Sequence, residues 1–252
     1  MGDLTGKTAL VTGASRGIGR AIAQRLGADG ALVAVHYASN DEAAKETMAS
    51  IEQTGGRAFP IRAQLGVDGD LDRLFAGLEA GLGGAPLDIL VSNTGILDLT
   101  PFEQVTPEAF DRSYAVNVRA PFFIIQRALP LLRNGGRIIN VSSATTRIAS
   151  PFTHYAMGKG AIEVLSHTLA QALGPRGITV NTVAPGSSTP SRARGCTAAR
   201  RSRRRSCRPP RWDGSGSPPT SPTWSRSSPP TTPVGSPASR SKPAAAIGSD
   251  RL

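Results

Sequence analysis

Residues 8–19 read TALVTGASRGIG, and this stretch decides the fold. The apolar run Thr8–Thr12 predicts a short strand, and the apolar spacing over 18–26 predicts a helix that follows it directly. Three glycines, the first at Gly13, separate the two with the spacing GxxxGxG. Glycines let a backbone approach a phosphate closely, and a helix N-terminus offers it free N–H groups. The unit therefore predicts either a phosphate-binding turn or a tight turn only, and its place in the chain has to decide.

The same alternation of strand and helix continues along the chain. Pro121 and Pro130 are expected to distort the longest helix. The alternation predicts an α/β fold: a Rossmann-like, doubly wound parallel sheet with helices on both faces, which binds ligands beyond the carboxyl ends of its strands. Further strands are predicted at 31–36, 58–61, 87–92, 137–142 and 178–183, and helices at 41–54, 68–82 and 106–133, with one more helix before the last strand.

Charge divides the chain into two parts. Residues 187–252 carry 13 of the 29 Lys and Arg residues but only two of the 18 acidic ones, so residues 1–186 are neutral and the net charge of +11 belongs to the remainder. The second part also holds 11 of the 20 prolines and shows no apolar periodicity. Such a composition predicts disorder. We expect a Rossmann-like domain over 1–186 and a disordered tail over 187–252.

A frameshift explains this tail more fully than disorder alone. A one-base slip turns TCN serine codons into codons for Phe, Leu, Ile or Val, and it creates a helical spacing of apolar residues between Ser221 and Ser228. Under this hypothesis the slip lies near 186–188, and a final helix and edge strand are missing. The weaker alternative takes the Arg-rich run 200–205 as an arm for nucleic acid or an anionic membrane. We therefore expect neither of these partners.

Other function classes are excluded by what the chain lacks. No stretch approaches the roughly 18 apolar residues of a membrane span, and no apolar signal region follows Met1. Cys196 and Cys207 have no nearby partners at a metal-ligand spacing. We expect a cytoplasmic protein without a metal site or a disulfide scaffold.

Tyr155 and Lys159 are four residues apart, which places both side chains on one face of a helix. A cation beside a phenol lowers the pKa of the phenol and so prepares it to exchange a proton near neutral pH. The YxxxK spacing is common on helices and is usually structural. Here it follows a strand that ends in Ser142 and Ser143, in a chain that already has a candidate dinucleotide turn.

Six segments occur in an order typical of one family. They are TGASRGIG at 12–19, SNTG at 92–95, AVNV around Asn117, NVSS at 140–143, YAMGK at 155–159 and APG at 184–186. Over residues 4–186 the chain thus resembles the short-chain dehydrogenase/reductase family, and in particular its members that are like 3-oxoacyl-[acyl-carrier-protein] reductase. The resemblance implies NADPH-dependent reduction of a ketone or a 3-oxoacyl-type carbonyl to an alcohol, or the reverse reaction.

The resemblance also implies roles for individual residues. Tyr155 is the expected general acid, and Lys159 lowers its pKa and holds the nicotinamide ribose. Ser143 hydrogen-bonds the substrate oxygen, and Asn117 helps to hold a water for proton supply. The expected cofactor contacts are Gly13, Ser15, Arg16, Gly17, Ile18, Gly19, Ser39, Asn40, Gln64, Asn93, Gly95, Tyr155, Lys159, Pro185 and Gly186.

Several positions depart from the family pattern, among them Ser92 and Thr94, which replace Asn and Ala. The interval from serine to tyrosine is one residue short, so Ser142 and Ser143 are both candidates for the substrate serine. Strand register favours Ser143, because register decides on which face a side chain lies. Gln64 stands where an aspartate commonly meets the adenine amino group, and its carbonyl can still accept that hydrogen bond.

The choice between NAD and NADP follows from charge. NAD-specific relatives carry an acid at the end of the second strand, whereas this chain reads HYASN at 36–40. With no acid there to repel a 2′-phosphate, and with Arg16 placed to pair with one, the sequence favours NADP(H). His36 is expected to cap its strand and to have no further role.

Several properties of the chain stay open at this point. Its substrate is a small carbonyl or alcohol compound, with an acyl thioester as one alternative. The chain either turns over or only binds NADP(H), because the frameshift would remove the segment that covers the substrate. Family members form homo-oligomers, either dimers or tetramers, whereas loss of the final strand would remove subunit contacts from this chain. His154, next to Tyr155, is either a substrate contact or a side chain without a special role.

Overall fold

Residues 3–186 are described by a computed structural model, and within this range six strands form one parallel sheet. The strands are β1 (Thr8–Val11), β2 (Leu32–Tyr37), β3 (Arg57–Arg62), β4 (Leu87–Ser92), β5 (Leu132–Val141) and β6 (Thr179–Val183). Their order is β3-β2-β1-β4-β5-β6, and each neighbouring pair is parallel. The predicted doubly wound sheet is confirmed. Its strand order reverses between β1 and β4, where such sheets bind ligands at the carboxyl ends.

Helices cover both faces of the sheet. They are α1 (Gly17–Ala28), α2 (Asp41–Gln53), α3 (Asp70–Leu82), α4 (Pro107–Tyr114), α5 (Ala120–Ala128) and α6 (Thr153–Leu173). Alternate side chains of β1 point to opposite faces, as the period of a strand requires. Leu10 belongs to one core cluster with Leu78 of α3, whereas Val11 belongs to the other with Ile51 of α2. Strands that are buried on both faces explain why their sequences read as unbroken apolar runs.

The long helix predicted at 106–133 is wrong in two respects. It is interrupted by a π-helical turn at Ala115–Arg119, and it ends at Ala128, after which β5 begins at Leu132. The cause lies in Pro121, which has no N–H to give to the carbonyl four residues earlier, that of Asn117. A wider turn accommodates this lost bond, and it places Asn117 inside the interrupted segment.

Several expectations concern residues outside the described range. These are the disorder and frameshift of 187–252, the loss of a final helix and strand, and the basic arm at 200–205. Between residues 3 and 186, no helix is both long and apolar enough to cross a membrane.

Candidate active site

The glycine turn lies at the carboxyl end of β1 and leads into α1. A side chain at Gly19 would collide with the carbonyl oxygen of Gly13 and would lie 2.5 Å from Nδ2 of Asn93, so only glycine fits there. The N-cap residue of α1 is Arg16, whose side chain makes no capping hydrogen bond. The first N–H groups of α1 therefore have no intrahelical or capping partner, which is the arrangement that binds a phosphate.

Asn93 and Thr12 join this turn to the end of β4. Nδ2 of Asn93 donates to the carbonyl oxygens of Thr12 at 2.9 Å and Gly13 at 3.2 Å. The hydroxyl of Thr12 accepts from the backbone N–H of Asn93 at 2.9 Å and of Thr94 at 3.0 Å. The SNTG segment thus holds the glycine turn where the strand order reverses, between β1 and β4. The side chain of Asn93 binds the backbone of the turn.

His36 holds the same turn from the other side. Its Nδ1 accepts from the backbone N–H of Gly13 at 3.1 Å, and its Nε2 lies 2.9 Å from the carbonyl oxygen of Ala63. Because Nδ1 is the acceptor, the neutral ring carries its proton on Nε2 and donates it to Ala63. Burial lowers the pKa of His36 from 6.5 to about 4. The expectation that His36 merely caps a strand missed this link, since both partners lie far away in sequence.

The residues expected around the adenine and its ribose lie at the ends of β2 and β3. Asn40 caps α2, since its Oδ1 accepts from the backbone N–H of Ala43 at 3.0 Å. Ser39 and Gln64 are exposed. Arg16 is exposed as well, and no carboxylate within residues 3–186 forms an ion pair with it. Its guanidinium is thus available to an anionic ligand at the glycine turn.

Lys159 and Asn117 meet next to Gly95, at the carboxyl end of the sheet. Nζ of Lys159 donates to the carbonyl oxygen of Val141 at 2.9 Å, and burial lowers the pKa of this lysine from 10.5 to about 8. Asn117 bonds the backbone of Ile96 in both directions at 3.0 Å. A Cβ on Gly95 would lie 2.9 Å from Oδ1 of Asn117 and 3.2 Å from Nζ of Lys159. The glycine is required because these two polar groups come so close.

Tyr155 lies in the first turn of α6, on the same helix as Lys159. The Nζ atom of Lys159 lies 5.9 Å from the centre of the Tyr155 ring. The predicted pair therefore shares one side of α6, and its lysine is the buried member while the tyrosine is partly exposed. A phenol that can reach solvent or a ligand, with a cation behind it, can exchange a proton.

The two candidate serines have different surroundings. Ser142 is buried, and its hydroxyl donates to Oε1 of Glu163 at 2.8 Å. Ser143 is partly exposed, and its Oγ accepts from the backbone N–H of Thr145 at 3.3 Å. The carbonyl oxygen of Pro185 accepts from Ala144 at 3.0 Å, so the proline-glycine turn that ends in Gly186 lies beside this serine segment.

His154 is buried against Asp98, with Nε2 3.5 Å from Oδ2 of the aspartate. The other carboxylate oxygen of Asp98 accepts from the N–H of Thr100 at 2.9 Å and from its hydroxyl at 2.6 Å. These hydrogen bonds lower the pKa of Asp98. The alternative of a substrate contact at His154 is thus disfavoured, because only 3% of the residue is exposed.

The site combines a glycine turn at a helix N-terminus with a lysine, a tyrosine and a serine at the carboxyl end of a doubly wound sheet. These features define a dinucleotide-dependent oxidoreductase. The family model for short chain dehydrogenases matches residues 7–198. The chain therefore belongs to the short-chain dehydrogenase family.

Relatives within this family carry the names of reductases. A hydroxynaphthalene reductase-like protein, Arp2 of Metarhizium robertsii, is 45% identical over 186 residues, which are 73% of this chain and 69% of the relative. The tetrahydroxynaphthalene reductase of Pyricularia oryzae is 42% identical over 73% of this chain and 65% of its own length. The versicolorin reductase stcU of Emericella nidulans is 44% identical over 73% of this chain and 69% of its own length.

Solved structures of ketoreductases resemble the chain as well. The landomycin C-6 ketoreductase LanV, with bound NADP and rabelomycin, is 61% identical, with a TM-score of 0.73 over 74% of this chain and 78% of its own. The reductase LugOII, which catalyses keto-reduction at C1 in lugdunomycin biosynthesis, is 59% identical to this chain. Its TM-score is 0.72, over 73% of this chain and 75% of its own.

Proposed function

We propose that this chain is an NADP(H)-dependent ketoreductase that reduces a ketone to a secondary alcohol. The observation that carries the proposal is the convergence on residues 93–95, where Asn93 holds the glycine turn and Gly95 lies against Lys159 and Asn117. This convergence supports a dinucleotide site and a proton-transfer group at the same carboxyl end of the sheet. The ketoreductase named above, with NADP bound, supports the choice of cofactor.

The residues that would hold the dinucleotide fit it. The uncapped start of α1, with Gly13, Gly17 and Gly19, would hold the pyrophosphate, and Ser15 and Ile18 lie in the same turn. Arg16, Ser39, Asn40 and Gln64 would surround the adenine half, with Arg16 at the 2′-phosphate. Asn93, Gly95, Tyr155, Lys159, Pro185 and Gly186 would line the nicotinamide half. When bound, NADPH supplies the hydride that reduces the carbonyl carbon.

The chain's own residues supply the proton. The hydroxyl of Ser143 donates a hydrogen bond to the substrate oxygen and orients the carbonyl. The phenol of Tyr155 gives its proton to that oxygen as negative charge develops, which completes the alcohol. The ammonium group of Lys159 stabilises the phenolate that is left. Asn117 holds the backbone of Ile96 beside this lysine, where a water can bring the next proton.

We further propose fused-ring aromatic ketones as the substrate class. Relatives and solved neighbours are named for hydroxynaphthalene, versicolorin and landomycin compounds. The segments that follow β4 and β5 expose apolar side chains at the carboxyl edge: Leu97 is 43% exposed, Leu99 49% and Ile148 64%. Such a rim can pack against a flat apolar ring system. A 3-oxoacyl thioester is the second candidate, favoured by the sequence resemblance.

Transfer of a labelled hydride tests this function. The full chain is incubated with NADPH deuterated at C4, in each of its two stereochemical forms, and with a panel of fused-ring ketones, simple ketones and 3-oxoacyl thioesters. We expect one form of the label to appear at the carbinol carbon of a fused-ring product. Tight NADPH binding without any labelled product would instead establish a binding protein without turnover. Labelling of thioester products alone would reverse the substrate assignment.

Assembly and location are also proposals. We propose a homo-oligomer built on the outer faces of α5 and α6, where Phe122 is 45% exposed and Val164 65%. Light scattering coupled to size exclusion tests it, and a monomeric mass at all concentrations would contradict it. A cytoplasmic location is proposed as well, and cell fractionation tests it.

A further inference from the structure

Glu163 connects the catalytic serine segment to the helix of the catalytic tyrosine. Its Oε1 atom accepts from the hydroxyl of Ser142 at 2.8 Å and from the hydroxyl of Thr146 at 2.9 Å. These two residues flank Ser143 on either side. Oε1 of Glu163, on α6, therefore binds both ends of the short segment that carries the candidate substrate serine.

The position of Glu163 on α6 makes this contact relevant to the site. Tyr155, Lys159 and Glu163 follow one another at intervals of four residues, so they lie on consecutive turns of one side of the helix. The helix is continuous from Thr153 to Leu173. Any tilt of the serine segment against Glu163 is thus a tilt against Tyr155 as well.

Charge makes Glu163 the stronger of the acceptors available to each hydroxyl. The hydroxyl of Ser142 also lies 3.3 Å from the carbonyl oxygen of Lys159, and the hydroxyl of Thr146 lies 2.9 Å from the carbonyl oxygen of Ser143. A hydroxyl has only one hydrogen to donate. A carboxylate holds it more strongly than a neutral carbonyl does, because charge-assisted hydrogen bonds are roughly twice as strong.

Without the carboxylate, the part of this segment after Ser143 would lose its side-chain bond to α6. Ser143 itself makes a hydrogen bond of 3.3 Å to Thr145, which lies within the same turn. Backbone bonds from Ser142 to Val183 at 2.7 Å and from Ala144 to Pro185 at 3.0 Å tie the segment to the end of β6. The bonds to α6 that remain lie before Ser143: Nζ of Lys159 donates to the carbonyl oxygen of Val141 at 2.9 Å, and the hydroxyl of Ser142 lies 3.3 Å from the carbonyl oxygen of Lys159. Loss of Glu163 would therefore loosen the serine against the tyrosine helix while its link to the sheet remains.

We propose that Glu163 is a positioning residue that sets the hydroxyl of Ser143 against the phenol of Tyr155. Glu163 touches neither substrate nor cofactor, and its effect on the rate rests on the proposed ketoreductase function. The geometry separates the two possible roles of its side chain. The accepting oxygen orders the segment, and the negative charge strengthens the two hydrogen bonds without being required for them.

Two variants of Glu163 test this proposal in the full chain. Glu163→Gln keeps an accepting oxygen, and Glu163→Leu removes it at similar size. We expect amide hydrogen exchange over 142–147 to become at least about 10-fold faster in Glu163→Leu and to stay within about 3-fold of wild type in Glu163→Gln, as the loss of two charge-assisted bonds implies. His167→Ala, at an exposed site on the same helix, is the matched control.

The rate of ketone reduction gives the second readout. We expect kcat to fall at least about 10-fold in Glu163→Leu and to recover in Glu163→Gln, with KM for NADPH within about 2-fold in both. The double variant Ser142→Ala with Thr146→Val removes the two donors and leaves the carboxylate. It should reproduce both effects, and it replaces Glu163→Leu if that variant does not fold.

Each outcome decides one part of the proposal. If amide exchange over 142–147 is unchanged in Glu163→Leu and in the double variant, then Glu163 does not order this segment and the proposal is overturned. Faster exchange with an unchanged kcat would reduce Glu163 to a structural residue and overturn the positioning role. If the wild type reduces no ketone at all, the proposed function fails, while the exchange measurement still decides whether Glu163 orders the segment.

Discussion

The Nδ1 atom of His36 accepts a hydrogen bond of 3.1 Å from the backbone N–H of Gly13, and so joins the end of β2 to the glycine turn. Only an unprotonated Nδ1 can accept this bond, and burial lowers the pKa of His36 to about 4. Protonation of the unfolded chain, in which a histidine has its ordinary pKa near 6.5, therefore competes with folding below that pH.

The first prediction is a loss of stability in mild acid that depends on His36. Between pH 6.5 and about 4 the unfolded chain binds one more proton at this site, so the free energy of unfolding falls as pH falls, by up to about 3 kcal/mol. This contribution is fully present above pH 6.5. Urea unfolding of the wild type and of His36→Asn over this pH range measures the contribution. The free energy of unfolding of the variant should fall less steeply with falling pH than that of the wild type.

His167, an exposed histidine of α6, provides the control for the loss of an imidazole. His167→Asn should keep the slope of the wild type. If His36→Asn shows the same pH dependence as the wild type, then His36 is not the buried neutral group described here. A weaker affinity of His36→Asn for NADPH is expected as well, because the shorter side chain loses the bond to Ala63 that holds the ring against the glycine turn.

The second prediction concerns the choice of cofactor. Arg16→Ala should narrow the preference for NADPH over NADH by about 1 to 3 kcal/mol, the range for a charge-assisted hydrogen bond to a phosphate. Fluorescence titration with both cofactors measures this difference. Arg57→Ala is the control, because Arg57 is exposed at the opposite end of the sheet, where β3 begins. Equal affinities of the wild type for the two cofactors would contradict the assignment of Arg16.

The third prediction separates proton transfer from binding at Tyr155. Tyr155→Phe should lower kcat for ketone reduction by at least about 100-fold, because no other group in the site donates in its place. The affinity for NADPH should change by less than about 3-fold, since one hydroxyl is removed from a large contact surface. Stopped-flow absorbance and equilibrium binding supply the two values. A variant that keeps its turnover would remove Tyr155 from the mechanism.

The fourth prediction is a trade of stability against activity at Lys159. Burial lowers the pKa of this lysine from 10.5 to about 8, so holding its charge at pH 7 costs the fold on the order of 3 kcal/mol. Lys159→Met should unfold at an equal or higher urea concentration than the wild type and should lose at least about 100-fold in kcat.

Lys7→Met makes the matched comparison for removal of a cation. Nζ of Lys7 lies 3.1 Å from the carboxylate of Asp88, whose side chain is only 7% exposed. This variant should lose about 1 kcal/mol of stability and keep its activity, because Asp88 lies at the other end of the sheet and retains Arg133 as a partner. A clear loss of stability in Lys159→Met would show that its hydrogen bond to Val141 outweighs the cost of burial.

The fifth prediction distinguishes the two serines. Ser143→Ala should lower kcat/KM for the ketone by about 10- to 100-fold, because its hydroxyl would orient the substrate. Ser142→Ala should have the smaller kinetic effect and should cost about 1 kcal/mol of unfolding free energy, because one of the two hydroxyls held by Glu163 is lost. Steady-state kinetics and urea unfolding of both variants give the comparison. The reverse ranking in kinetics would make Ser142 the substrate serine.

Sequence alone determined the order of strands and helices, the glycine turn and the pairing of Tyr155 with Lys159. All of these features are local. A period of two residues predicts a strand, a period of 3.6 residues predicts a helix, and glycines predict a turn. The exception within this group is the helix predicted over 106–133. Proline was expected to distort it, but a π-helical turn over Ala115–Arg119 is not distinguishable from a bend by sequence period.

Tertiary structure alone decided which polar groups support the site. His36 is 23 residues from Gly13 and 27 from Ala63, and Glu163 is 21 residues from Ser142. No period in the sequence connects such partners, because their distance depends on strand order, on register and on how α6 packs on the sheet. Hydrogen bonds act over about 3 Å, so a side chain acquires its partner only when the whole fold has brought the two together.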